Sequence, residues 1–156
     1  MTVGWNEDRA KEIIAGFSDM EGAALPMLHA LQDEFGYLPD AALLAVAAAL
    51  NLSRAEIHGI VSFYHDFRRA PAGKHVLKLC RAEACQSMGG EALARGALDR
   101  LGLDWGHTTH DNRLTVEATY CLGLCACAPA AMIDGRVVGR LDAETLDDVV
   151  REARAS

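Results

Sequence analysis

The chain has 156 residues, 51% of them hydrophobic and 24% charged, with a formal charge of −7. That length builds one medium domain or two small ones, each with a limited core, and a composition without repeats or low-complexity tracts excludes a disordered chain. The excess of acid argues against nucleic acid and anionic membrane surfaces, both of which attract clustered Lys and Arg.

The segment Met1 to Ala10 carries Asn6, Glu7, Asp8 and Arg9 and no apolar stretch behind a basic start, so it does not read as a secretory signal. A first short helix is expected around Asp8 to Ser18. A second contains Leu25, Leu28, Leu31, Gln32 and Phe35, with Pro26 tolerated in its first turn and Gly36 placed as its C-terminal cap. Pro39-Asp40 opens a third helix that runs to Leu50. Its run Ala41 to Leu50 is the longest apolar stretch, too short to span a bilayer and suited to a buried helix. A fourth helix starts at Ser53, with Glu56 three residues on completing a capping box, and Ile57, Ile60, Val61 and Tyr64 forming its apolar face. The aromatic stretch Ser62 to Phe67 reads as helix core with one polar side. The reading is therefore a cytoplasmic protein with no direct membrane insertion. In a reducing compartment its five cysteines are metal ligands or redox groups rather than a disulfide framework.

Arg69-Ala70-Pro71-Ala72-Gly73-Lys74 breaks the helical pattern and marks a boundary. It separates a helical bundle over residues 1–70 from a second domain over 75–156. There the pattern turns to alternating strands and helices, the mark of an α/β unit. His75 to Cys80 reads as a buried strand, Ser87 to Leu101 as a helix, and Leu114, Val116, Ala118 and Tyr120 as a half-buried strand. Ala131-Met132-Ile133, Asp134-Gly135 and Arg136-Val137-Val138 form a hairpin pattern. A last helix follows, capped by Asp142, with Leu146, Val149 and Val150 facing inward.

The chemistry-bearing residues sit on the loops of this second unit. Cys80 and Cys85 form C-x4-C. After thirty-five intervening residues, Cys121, Cys125 and Cys127 form C-x3-C-x-C. Each group ends an expected strand, so two loops at one sheet edge can gather four thiolates, as two irons bridged by two sulfides require. A structural zinc is satisfied by the same spacing, and neither the C-x2-C knuckle of zinc sites nor the C-x4-C-x2-C run of plant-type ferredoxins is present. Spacing leaves both open. A redox-active pair at Cys125 and Cys127 is disfavoured because C-x-C is not C-x-x-C, and Cys127 reads as a spare thiol. An anionic cluster needs amides aimed at sulfur, which Gly123 can turn inward, and gains from the N-terminus of the helix expected after Cys85. His29, His58, His65, His75, His107 and His110 are scattered, and His107 and His110 share with Thr108, Thr109 and Asp111 a loop of solvated polar residues. No G-x-G-x-x-G follows a strand, so the chain holds no nucleotide and is not expected to catalyse alone. A zinc-stapled adaptor and a stand-alone thiol oxidoreductase are the competing function classes.

Cys80-x4-Cys85, Cys121-Leu-Gly-Leu-Cys125 and the following Ala128-Pro129 resemble the 24 kDa [2Fe-2S] subunit family of respiratory complex I and its bacterial relatives. Leu25-Pro26-x-Leu28 to Leu38-Pro39, and Val61-Ser62-Phe63-Tyr64 to Phe67, resemble that family's helical segment, so the likeness runs from about Met20 to Val138. It implies a thioredoxin-like second domain, a small mixed sheet flanked by helices. It implies a [2Fe-2S] cluster on Cys80, Cys85, Cys121 and Cys125, and so iron over zinc. The compact chain is most similar to the gamma subunits of soluble NAD-dependent, molybdenum-containing formate dehydrogenases, with the NAD-reducing hydrogenases next. That branch implies docking on a flavin subunit that binds FMN and NAD and, through it, service to a catalytic subunit carrying molybdenum and iron–sulfur clusters. Cysteine at Cys127 departs from the family pattern.

Overall fold

The computed structural model describes residues 4–155, so Ser156 and the first three residues of the Met1–Ala10 segment lie outside it. The chain divides after Pro71 into two compact units.

In the first unit local chemistry sets each helix end. Asn6 accepts the Arg9 N–H at 2.9 Å to start α1 (Glu7–Ala15). Gly36, at φ 79°, stops α2 (Ala24–Phe35) with a left-handed cap, and Asn51 does the same for α3 (Asp40–Leu50). Helix α4 (Arg54–Phe63) begins with the expected capping box: Ser53 Oγ accepts the Glu56 N–H at 3.2 Å, and the Glu56 carboxylate accepts the Ser53 N–H at 2.8 Å. Ser53→Ala is expected to lower the stability of this unit by about 1 kcal/mol, read from the urea midpoint of far-UV dichroism.

The apolar faces of the four helices meet in a core of Ile14, Met27, Leu28, Leu31, Phe35, Leu43, Val46, Ile57 and Val61. Trp5 packs against Phe35 with ring centroids 4.9 Å apart. Gln32 ties down the chain after α4, donating to the Asp66 carbonyl at 2.7 Å and accepting the Arg68 N–H at 2.6 Å. Two expectations need correction here. Helix α4 ends at Phe63 and the chain turns extended at Tyr64, so Tyr64 leaves the apolar face. Of the aromatic stretch only Phe67 is buried, while Phe63 and Tyr64 stand in solvent. Among the described residues no single helix is long and apolar enough to cross a membrane.

The second unit is a four-stranded mixed sheet with three helices. Its order is β2 (Leu114–Thr119), β1 (His75–Cys80), β3 (Ala131–Ile133), β4 (Arg136–Val138), with β1 parallel to β2 and antiparallel to β3. Leu77, Leu79, Leu114, Val116 and Ile133 face Ala94, Ala97 and Leu98 of α6 (Gly90–Leu101) and Leu146, Val149 and Ala153 of α7 (Ala143–Ala155), all in one core. The hairpin turn expected at Asp134-Gly135 forms, with both residues at positive φ, and Asp142 caps α7 by accepting the Thr145 N–H at 2.8 Å. Outside β2 the chain from Gly106 to Thr109 runs alongside it. Gly106 N–H donates to the Val116 carbonyl at 2.8 Å, Val116 N–H to His107 at 3.1 Å and Thr109 N–H to Leu114 at 2.8 Å.

Three further readings are corrected. The helix expected from Ser87 to Leu101 starts three residues later, as α6 at Gly90, because Gly89 has a φ of 85° that no helix tolerates, and a separate short helix, α5 (Glu83–Ser87), precedes it. Tyr120 lies beyond β2 and is exposed. Thr109 is buried rather than solvated, its hydroxyl bonded to Asp111 and accepting the Leu114 N–H.

The Asp111 carboxyl is drawn down to about 2 by the Thr109 hydroxyl, the Arg154 guanidinium and the Arg113 N–H. A carboxyl depressed by folding adds stability that is present above its unfolded value of about 3.9 and is lost as pH falls through the folded value. Asp111→Asn should therefore melt below the parent chain at neutral pH. The gap should narrow below about pH 4 and close near pH 2, as thermal melts across acid pH will report.

Candidate metal centre

Strand order places the cysteines. Cys80 ends β1 in register with Thr119, the last residue of β2. The chain leaves β2 at Tyr120 and returns as β3 at Ala131, on the far side of β1. The intervening loop must cross the end of β1, and so it carries Cys121, Cys125 and Cys127 over Cys80. Backbone bonds fix the crossing: Cys80 N–H donates to the Ala130 carbonyl at 3.0 Å and Arg81 N–H to Thr119 at 2.8 Å. Cys85 comes to the same edge on α5, which starts before it rather than after it as expected.

None of the five cysteines is in a disulfide; Cys80 and Cys85 are buried and Cys121 and Cys125 exposed. The Cys121 and Cys125 sulfurs lie 3.7 Å apart, and the Gly123 N–H donates to the Cys121 sulfur at 3.4 Å. Burial disfavours a thiolate at Cys80, yet amides of Ala82, Cys121 and Leu122, with the Cys85 thiol, hold that group below the usual thiol range. Burial and the neighbouring Cys80 push Cys85 up, while Cys121 pushes Cys125 up. Cys80 also acts on Cys125 and Cys125 on Cys85, so the two pairs share one electrostatic site. Ala82, Leu122, Leu124, Ala128 and Ala130 line it. From Tyr120 to Ile133 the chain carries no charged residue. On the first cysteine loop Arg81, next to Cys80, is held by Glu91 at 3.3 Å and over the Trp105 ring at 5.0 Å.

Among the described residues, no three His, Cys, Asp or Glu side chains converge on one point as a single ion would need. The thiols come instead as two pairs, and a two-iron core takes one pair per iron. Amides directed at sulfur, an apolar lining and four soft donors fit that group. The scattered histidines stay apart from it. His75 pairs with Asp134 at 2.6 Å at the other end of β1. Sequence reasoning missed the conformation of Cys121, whose φ is 78°. A positive φ costs a cysteine roughly 1–2 kcal/mol, and nothing about a cysteine announces it.

A thioredoxin-like sheet carrying cysteine pairs on two loops at one edge, with amides turned toward sulfur, defines an iron–sulfur protein. The chain belongs to the thioredoxin-like [2Fe-2S] ferredoxin family, which it matches over residues 10–154. Its cofactor is accordingly a [2Fe-2S] cluster, and the zinc adaptor is set aside. It is similar to an NADH-quinone oxidoreductase subunit of Mycobacterium tuberculosis, 34% identical over 146 residues that cover 94% of this chain and 58% of the relative. It is also similar to the HndA subunit of the NADP-reducing hydrogenase of Solidesulfovibrio fructosivorans, 30% identical over 141 residues that cover 90% of this chain and 82% of the other. Among solved structures, an NAD+-reducing [NiFe]-hydrogenase in the H2-reduced state superposes with a TM-score of 0.71 at 31% identity, over 86% of this chain and 22% of the other. The chain thus spans little more than half the length of the first of these relatives.

Proposed function

We propose that this chain is a [2Fe-2S] electron-transfer subunit of a cytoplasmic NAD(H)-linked oxidoreductase complex, with Cys80, Cys85, Cys121 and Cys125 as the cluster ligands. The observation that carries the reading is the loop crossing at the end of β1, which gathers two thiol pairs and their amide donors on one sheet edge. When bound, the cluster takes up and returns one electron at a time. The Ala82, Leu122 and Gly123 amides offset the negative charge that reduction adds, because they already point at sulfur. The uncharged run from Tyr120 to Ile133 adds no further anion from the second cysteine loop. Free thiols suit a reducing compartment. The helical unit (1–70) and the sheet unit (75–156) act as separate domains.

The partner in this reading is a subunit that binds FMN and NAD. The parent enzyme is the finer question. A molybdenum-containing formate dehydrogenase is the parent expected from the sequence, and the relatives named above give a hydrogenase or a quinone oxidoreductase at least equal support. The test is to tag the chain in its native host, isolate what co-purifies, and identify flavin, molybdenum and nickel. The preparation is then assayed for NAD reduction by formate and by hydrogen, and for quinone reduction by NADH. Formate-dependent turnover with molybdenum selects the first parent; turnover with hydrogen or quinone selects the others. A chain recovered without any flavoprotein overturns the subunit reading.

A further inference from the structure

We propose that Gly90 and Gly139 are positioning residues for the cluster, each seating one of the two cysteine loops by letting a second backbone segment lie directly against it. The inference rests on the ligand assignment above. Neither glycine is among the positive-φ residues of the chain, so conformational freedom is not what requires them. Space is. A Cβ on Gly90 would stand 2.6 Å from the Cys85 carbonyl oxygen and 3.1 Å from its carbon. A Cβ on Gly139 would stand 2.8 Å from Cys127 Cβ and 2.9 Å from the Cys127 carbonyl oxygen. Most of these obstacles are main chain, which cannot swing aside as the end of a long side chain does, and close-packed interiors transmit such a shift.

The two glycines stand behind different loops. Gly90 is buried and opens α6, so the first turn of that helix rests on the carbonyl of Cys85. Gly139 follows β4, and the next two residues stitch the second loop in place: Arg140 N–H donates to the Cys127 carbonyl at 2.6 Å and Leu141 N–H to the Pro129 carbonyl at 3.0 Å. With its Cβ against Gly139, Cys127 is seated on the segment after β4. Cys125 is left opposite Cys121 at 3.7 Å. The glycine thereby also selects which cysteine of the C-x-C pair serves the site.

Gly73 supplies a matched control. A Cβ there would meet the Leu114 nitrogen at 2.9 Å, an equally tight main-chain contact, but at the end of the sheet remote from the cysteines, since His75 pairs with Leu114 and Cys80 with Thr119. The experiment uses the full chain loaded with iron and sulfide, comparing the parent with Gly90→Ala, Gly139→Ala and Gly73→Ala. The readouts are the g values of the dithionite-reduced cluster, the rate of iron loss to a chelator, and far-UV dichroism with thermal melting. Gly90→Ala and Gly139→Ala are expected to keep the dichroism, shift the g values and lose iron about tenfold faster or more, as when groups that orient metal ligands are altered. Gly73→Ala is expected to keep the g values and the iron-loss rate even if its melting point falls. Parental g values and iron retention in both variants overturn the proposal, as do equal changes in Gly73→Ala. Collapse of the dichroism together with the cluster also overturns it, because the glycines would then serve the fold. A change in only one of the two overturns it for the other. A parent chain without a [2Fe-2S] spectrum, or one whose cluster survives Cys80→Ala, overturns the ligand assignment itself.

Discussion

Replacing Cys80, Cys85, Cys121 or Cys125 singly by alanine is expected to take the chain from about two bound irons to nearly none, whereas Cys127→Ala retains them. In the proposed assignment each of the four belongs to a pair, and removal of one would leave an iron with an open position and its partner thiol unable to close the site. At Cys80 and Cys85 the effect should be greatest, because both are buried against Ala130 and Leu122 and water has little access to replace the missing sulfur. Cys121 and Cys125 are exposed, so Cys121→Ser or Cys125→Ser is where an oxygen ligand could retain a weakened, spectrally altered cluster. Iron and sulfide analysis with EPR of the reduced protein checks all five positions. Retention of a normal spectrum in any of the four alanine variants, or its loss in Cys127→Ala, would reassign the ligands.

The second large effect belongs to the helical unit. Phe35 is fully buried and meets the Trp5 ring; it closes α2 just before the left-handed Gly36. Phe35→Ala removes its contacts and leaves a cavity that surrounding helices fill only in part, a loss of about 3–5 kcal/mol. For a unit of some seventy residues that is much of the total stability, so α1 to α4 should unfold at ordinary temperature or close to it. If the two units are separate domains, the sheet unit keeps its cluster spectrum and its own melting transition. Loss of the cluster in step with the helices would show instead that the chain folds as one cooperative body. Differential scanning calorimetry with EPR on the same sample distinguishes these outcomes.

What was legible in the sequence was what short-range chemistry decides. The Ser53–Glu56 capping box, the Gly36 stop, the Asp134-Gly135 turn and the Asp142 cap all act within four residues, and each is found where expected. The cysteine pairs were legible by spacing, but spacing could not choose between iron and zinc; membership of the family did. Three kinds of feature were hidden. Tyr64 and Tyr120 fit their apolar patterns, yet helix and strand stop before them, while Phe63, the last residue of α4, turns to solvent. The break at Gly89-Gly90 was signalled by the paired glycines, but the apolar spacing that follows them ran the expected helix back through it. The crossing that carries Cys121 over Cys80 follows from β1 lying between β2 and β3, an order fixed by long-range packing rather than by any local run of residues. Gly90, inside the expected helix, and Gly139, after the hairpin, carry no signal until the main chain behind each of them is located.

The run from Gly106 to Thr109 beside β2 bears on how this chain behaves at high concentration. An uncovered outer strand displays unpaired N–H and C=O groups that other polypeptides can extend into a growing sheet, the usual first step of aggregation. Here that run already occupies the β2 side through Val116 and Leu114. On the opposite side β4 is only three residues long and begins with Arg136, which is drawn to Glu152 on α7 at 3.1 Å. Short length and a charge both discourage strand addition. Newly made chains waiting for iron should accordingly stay dispersed at concentrations where an open four-stranded sheet would precipitate.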